Sequence, residues 1–167
     1  MKTLIIVRHA KSSWDNIGQE DSERPLNERG KKDAPEMAGR LKDKIKKIDL
    51  FVSSPAKRAK RTARYFAEEY KVSKDDIVIK EKLYEAAVAN FDSVVESLSD
   101  KEDVVALFSH NPGITEFVNT LTKVHVDNMP TCGVFAIKAN TNKWATFKKS
   151  EKEFLFFDYP KNASAFD

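Results

Sequence analysis

Two histidines in this chain, His9 and His110, each stand at the end of an apolar run, and two arginines, Arg8 and Arg58, occupy comparable positions. A neutral imidazole is a nucleophile near neutral pH, whereas a guanidinium keeps its charge and offers planar, paired donors to an oxyanion. Two of each, brought together, suit attack on a phosphoryl group, a reaction that needs positioning and charge neutralisation above all. No histidine pair or carboxylate cluster has metal-ligand spacing, so neither a metal nor a cofactor is expected. Cys132 is the only cysteine, which excludes an internal disulfide and leaves a buried, inert thiol as its expected state.

The elements that must position these residues alternate along the chain. TLIIV at 3–7 reads as a buried strand, followed by a polar loop and a helix over about 27–45, with Asn27 as N-cap and Leu26 as a staple before it. Pro35 has no N–H to give and predicts a kink or a divided helix. DLFVS at 49–53 is a second strand. A helix is expected to open at Pro55 with Ser54 as its N-cap, its buried face being Ala59, Ala63, Phe66, Ala67 and Tyr70. A strand near 76–81, a helix near 91–99, a strand at 103–109 and a helix from Asn111–Pro112 to about Lys123 continue the pattern. VFAIKA, KWATFK and EFLFFDY then read as strands with little helix between them. This alternation predicts one α/β domain over 1–167, a three-layer α/β/α sandwich around a mainly parallel sheet with antiparallel strands added at one edge.

Ligands of open parallel sheets bind beyond the carboxyl ends of the strands. Here those ends carry Arg8-His9, then Ser53-Ser54-Pro55 with Arg58 one turn on, then Ser109-His110-Asn111-Pro112, so both histidines and both arginines are expected to converge. Ser12 follows His9 closely enough for its hydroxyl to meet phosphate or the substrate rim, or to close a loop hydrogen bond. Arg24 either braces the loop or reaches substrate. Lys57, Lys60, Arg61 and Arg64 read as a solvated polar face, and His125 as a surface residue.

The segments VRHAKSSW at 7–14, RPLNERG at 24–30, SSPAKRAKRTA at 53–63, LYEA at 83–86 and SHNPG at 109–113 occur in an order that resembles the histidine phosphatase superfamily, branch 1, and within it the SixA-like phosphohistidine phosphatases. That resemblance implies a phosphoglycerate-mutase-like fold, His9 as nucleophile, and Arg8, Arg58 and His110 as holders of the phosphoryl oxygens. It also implies a glutamate acting as general acid, for which Glu85 is best placed and Glu81 a lesser substitute. One departure is plain: Ala10 stands where the superfamily has the glycine of its Arg-His-Gly run, which adds a methyl but removes no catalytic group.

The function expected is metal-independent phosphatase activity through a phosphohistidine intermediate, acting on phosphohistidine in proteins. A small phosphate ester as substrate, or a module that binds phosphoproteins without turnover, are the alternatives. The chain looks too short to enclose a phosphosugar for mutase chemistry. With 29 basic and 26 acidic residues, the net charge of +3 favours an anionic substrate but is too weak for a nucleic-acid binder. Arg8 cuts the first apolar run short, so neither a signal core nor a membrane span is expected, and a cytoplasmic location follows as the expectation.

Overall fold

The computed structural model describes residues 1–162, so the last five residues of the expected 1–167 unit lie outside the described residues. In chain order the elements are β1 (Lys2–Arg8), α1 (Glu28–Lys44), β2 (Leu50–Ser53), α2 (Lys57–Glu69), β3 (Val78–Ile79), α3 (Val88–Glu96), β4 (Val104–Ser109), α4 (Gly113–Val118), β5 (Val134–Ala139) and β6 (Lys152–Asp158). The strands form one sheet in the order β3-β2-β4-β1-β5-β6. The first four are mutually parallel, while β5 runs antiparallel to β1 and β6 antiparallel to β5. The antiparallel additions therefore sit at one edge, as the change of pattern in the last third of the sequence predicts.

Period-two alternation sends successive residues of each strand to opposite faces and creates two cores. Ile5, Val7, Phe51, Ala106 and Phe108 meet Met37, Ala38 and Leu41 of α1 and Ala63, Phe66 and Ala67 of α2. Leu4, Ile6, Val52, Val105 and Leu107 meet Phe91, Val94 and Val95 of α3, Ile114 and Phe117 of α4, and Trp144 and Phe147. Strands buried on both faces explain why β1 and β4 read as continuous apolar runs. Truncating a fully buried ring such as Phe108 to alanine would cost about 3–5 kcal/mol.

Several local expectations change. Helix α1 is undivided through Pro35, because Pro35 and Lys31 one turn earlier both lie on its exposed face, where water can take up the carbonyl left without a partner. Helix α2 opens at Lys57 with Ala56 as N-cap; the Ser54 hydroxyl accepts from the Ala56 N–H at 3.2 Å and belongs to the turn before the helix. The strand expected over 76–81 is only Val78–Ile79, preceded by a 3₁₀ turn at Lys74–Asp76. Asn111 does not cap α4, whose cap is Pro112, and the helix ends at Val118, where Asn119 bonds both the N–H and the carbonyl of Val126. KWATFK is not a strand but a 3₁₀ segment, Trp144–Lys149. Trp144 and Phe147, three residues apart, can both enter the core only with a helical period, and the indole N–H donates to the Glu102 carbonyl. Among the described residues no helix is long and apolar enough to cross a membrane.

Candidate active site

Strands β1 and β4 end level, Arg8 pairing with Ser109, and the His9 N–H donates to the Ser109 carbonyl at 3.1 Å. The loops that carry the two histidines therefore leave the sheet side by side, and the rings stand 5.1 Å apart between centroids. On the other flank the Cys132 N–H donates to the His9 carbonyl at 3.0 Å. Strand β2 ends beside β4, and the Ser54 N–H donates to the Phe108 carbonyl, which brings the Ser54 hydroxyl within 2.7 Å of His110 Nε2. Thr62 of α2 accepts from the Ala10 N–H at 2.9 Å and donates to the Arg58 carbonyl at 2.8 Å, coupling the His9 loop to the first turn of α2. Ala10 is fully buried in the core shared by α1 and α2, which is where the extra methyl goes.

Two glycines permit this closeness. A Cβ on Gly30 would lie 2.2 Å from the Lys11 carbonyl oxygen, and one on Gly113 would lie 2.0 Å from that of Ala86. Any side chain at either position would push the loop after β1, or the LYEA segment, away from the site.

His9 Nδ1 lies 2.7 Å from the Ala10 carbonyl oxygen, which can only accept, so Nδ1 carries the hydrogen and the neutral ring keeps its lone pair on Nε2. Burial, chiefly, holds the His9 pKa well below its ordinary 6.5; the bond to Ala10 opposes this, and His110, Arg8 and Arg58 add to it. Burial likewise lowers His110, to about 3, with Arg58 contributing and Asp21 opposing. The Ser54 hydroxyl, which accepts from Ala56, lies against His110 Nε2 and can either donate to that nitrogen or accept from it.

Among the described residues the buried side-chain polar atoms without a hydrogen-bond partner are three: Arg8 Nε, Arg58 Nε and His110 Nδ1. The two arginine Nε atoms are donors, and all three atoms belong to residues lining one cavity of about 270 Å³ together with His9, Lys11, Ser12, Trp14, Arg24, Asn111 and Thr131. An unmet buried donor costs about 1–3 kcal/mol, so an anion with several oxygens is the ligand this donor set fits. Among the described residues no group of three or more His, Cys, Asp or Glu is placed to hold a metal ion.

The arginines are anchored differently. Arg8 donates from Nη1 to the Met129 carbonyl at 2.9 Å. Arg58 donates to the Asp21 carbonyl at 2.7 Å and to its Oδ2 at 3.0 Å. Arg24 donates to Asp21 Oδ1 at 3.0 Å and to the Ser12 hydroxyl, and its guanidinium lies over the Trp14 ring at 3.2 Å. The Tyr84 hydroxyl donates to Asp21 Oδ2 at 2.6 Å, and its ring meets His110 edge-on with centroids 5.6 Å apart. Asp21 thus ties together Arg24, Arg58 and Tyr84.

The structure therefore gathers Arg8, His9, Ser12, Arg24, Arg58 and His110 around one cavity. Glu85 is not among its lining residues: it is exposed, with its backbone at φ 53°, and it is Tyr84 of LYEA that touches His110. His125 is exposed and bonds Asp127. Cys132 is buried, and burial raises its thiol pKa, in keeping with an inert side chain whose backbone braces His9. Sequence reasoning misses Asp21 and the hydroxyl roles of Ser54 and Thr62. Asp21 lies in a polar loop among other acidic residues, with nothing local to distinguish it. Tyr84 carries a signal only through its neighbour Glu85.

Residues 4–96 match the family described as the histidine phosphatase superfamily (branch 1). Phosphoserine phosphatase 1 of Hydrogenobacter thermophilus is 39% identical over 84 residues, which cover 48% of this chain and 39% of that protein. Among solved structures, a protein of Agrobacterium tumefaciens assigned as phosphohistidine phosphatase SixA superposes with a TM-score of 0.79 at 23% identity, over 95% of this chain and 98% of that one. The protein histidine phosphatase SixA complexed with tungstate gives 0.79 at 20% identity, over 95% and 97%. At these identities the superpositions establish the fold, which is phosphoglycerate-mutase-like.

Proposed function

The chain belongs to the histidine phosphatase superfamily (branch 1), and from that membership we propose that this phosphatase takes the phosphoryl group onto His9 Nε2 without a metal, its substrate being phosphohistidine in a protein. The observation that carries the reading is the His9 tautomer: Nδ1 bound to the Ala10 carbonyl leaves the Nε2 lone pair as the nucleophile, in a cavity lined by Arg8, Arg58 and His110.

In the first step a bond forms from His9 Nε2 to phosphorus as the bond from phosphorus to the substrate imidazole breaks; the leaving ring keeps the electron pair and takes a proton. Water then attacks phosphorus, the bond to His9 breaks, and inorganic phosphate leaves while the ring returns to its neutral form. Arg8, Arg58 and His110 hold the three non-reacting oxygens, where charge spreads in the transition state. Substrate imidazole has a conjugate-acid pKa of about 6.5 and departs far more readily than an alkoxide. Glu85, exposed beside Tyr84, is the general acid in this scheme, a light task for a phosphoramidate and a heavier one for an ester. A small cavity open to bulk solvent would admit a phosphorylated side chain carried on a protein surface. A cytoplasmic location is part of the same reading.

A small phosphate ester is the second reading, favoured by the relative that is a phosphoserine phosphatase. Comparing turnover of a phosphohistidine peptide with that of phosphoserine separates the two, and a faster ester by orders of magnitude overturns the preference. The reading as a whole is tested by quenching turnover with a labelled substrate. The label on the enzyme is expected to be acid-labile, alkali-stable and missing from His9→Ala. An acid-stable label, or tight binding with no phosphate release from any substrate, would sink it, the latter in favour of a binding module.

A further inference from the structure

Helix α2 carries Lys57, Lys60, Arg61 and Arg64, spaced by three, four and seven residues from the first and so aligned on one side of the helix. With Lys74 from the 3₁₀ turn before β3 they line a groove of about 400 Å³, larger than the catalytic cavity. Internal ion pairs do not account for the charge: among the described residues none of these five side chains makes a salt bridge or a hydrogen bond, whereas Lys31, Arg40, Lys44 and Lys47 elsewhere are paired with carboxylates. Two carboxylates, Glu23 and Asp75, also line the groove, leaving a surplus of three positive charges, as large as the net charge of the whole chain.

The groove and the catalytic cavity are lined by neighbouring residues of the chain. Lys57 and Glu23 are the chain neighbours of Arg58 and Arg24, which line that cavity, and from Lys57 to Arg64 the helix advances about 10 Å, the reach of roughly three extended residues. Its lining also includes Ile77, just before the edge strand β3, and the exposed Ile79 on that strand.

We propose that this groove docks an acidic segment of the substrate protein, the residues flanking the phosphorylated one, and so selects phosphoproteins whose phosphorylated residue lies among carboxylates. Cations that stay unpaired and bordered by aliphatic side chains suit Asp and Glu side chains on a chain that also offers an apolar contact. Nucleic acid fits less well, because no aromatic side chain lines the groove for base stacking and two carboxylates stand within it. The inference rests on the phosphatase reading for the direction in which the docked segment points.

The test compares wild type with the double variant Lys60→Glu/Arg64→Glu, neither position lining the catalytic cavity, on two synthetic peptides with one phosphohistidine each, one flanked by Asp and Glu and the other by Ser and Asn. Wild type is expected to prefer the acidic peptide by 10-fold or more in kcat/KM, through KM, and to lose the preference in high salt. In the variant the preference should vanish or invert while the neutral peptide keeps its kcat. Equal kcat/KM for the two peptides in wild type, an unchanged preference in the variant, or tighter binding of single-stranded RNA than of the acidic peptide would overturn the proposal. Failure of the phosphatase reading shows separately, as no phosphate released from either peptide; anisotropy with the labelled, unphosphorylated acidic peptide then still decides whether the groove binds it.

Discussion

Replacing Asp21 by asparagine keeps the shape of the side chain and removes its charge, and the consequences can be worked out from its partners. The carboxylate accepts from Arg58 Nη2, Arg24 Nη1 and the Tyr84 hydroxyl at 3.0, 3.0 and 2.6 Å. Hydrogen bonds to a charged acceptor contribute about 1.5–3 kcal/mol each and neutral ones about half of that. The Asp21 side chain is 47% exposed, so solvent screens much of the difference. An amide can also still accept two of the three bonds, and the Arg58 bond to the Asp21 carbonyl is untouched. The net loss expected for Asp21→Asn is therefore about 1–2 kcal/mol, a fall in Tm of roughly 2–8 °C at pH 7 for a chain of this size.

The sign of the pH dependence is set by the direction of the Asp21 shift. Burial alone would raise its pKa, but the bonds from Tyr84, Arg24 and Arg58 and the charge of Arg58 outweigh that and hold the carboxyl well below its ordinary 3.8. A depressed carboxylate stabilises the fold fully above its unfolded pKa, and that contribution fades as pH falls below it toward the folded value. Thermal unfolding of wild type and Asp21→Asn at pH 7 and at pH 3 measures this: the two Tm values should differ at pH 7 and draw together at pH 3. Arg58, freed from one anchor, should also lose alignment and lower kcat/KM about 10-fold. Equal Tm values at pH 7, or a gap that persists undiminished at pH 3, would refute the argument that the carboxylate charge pins these side chains.

Removing Arg58 or His110 as alanine should lower kcat by about 10²–10³-fold, the usual loss for one transition-state donor, measured as phosphate release in steady state. Arg58→Lys should recover little of it, because lysine cannot reproduce the planar fork. Glu85→Gln should slow phosphohistidine hydrolysis less than 10-fold and an ester such as phosphoserine by more, compared as a ratio of kcat values. Both buried histidines titrate below their ordinary 6.5 in the folded chain, so below that pH the unfolded chain binds their protons first. Each ring should then subtract about 1.4 kcal/mol of stability per pH unit. Urea unfolding between pH 6.5 and 4.5 checks the slope, which His110→Asn should roughly halve.

The apolar runs at β1, β2 and β4 are legible in the sequence because strands buried on both faces must be apolar throughout, and the convergence of His9, His110, Arg8 and Arg58 follows from placing each at a strand's carboxyl end. The errors lie where a local signal competes with a tertiary one. Ser54 beside Pro55 looks like a helix cap, yet its hydroxyl is engaged by His110, a residue 56 positions away. KWATFK has the aromatic, β-branched composition of a strand, but burying Trp144 and Phe147 on the same side imposes a helical period. The role of Tyr84 has no local signal of its own: Glu85 is the residue chosen for its chemistry, it is exposed with its backbone at φ 53°, and its neighbour Tyr84 is the one that meets His110 edge-on.

What the sequence determines by itself is which residue types stand at the strand ends, and so the class of chemistry they can perform, because strand position depends on hydrophobic pattern within a short window. The tertiary structure alone decides which His9 nitrogen is free, through the Ala10 carbonyl, and which carboxylate anchors Arg58, through a loop 37 residues away. The Ala10 carbonyl is next to His9 in sequence, but the loop conformation that sets it against Nδ1 is held by Cys132 and Thr62 from distant segments, and the Arg58–Asp21 bond has its two ends 37 residues apart, beyond any local window.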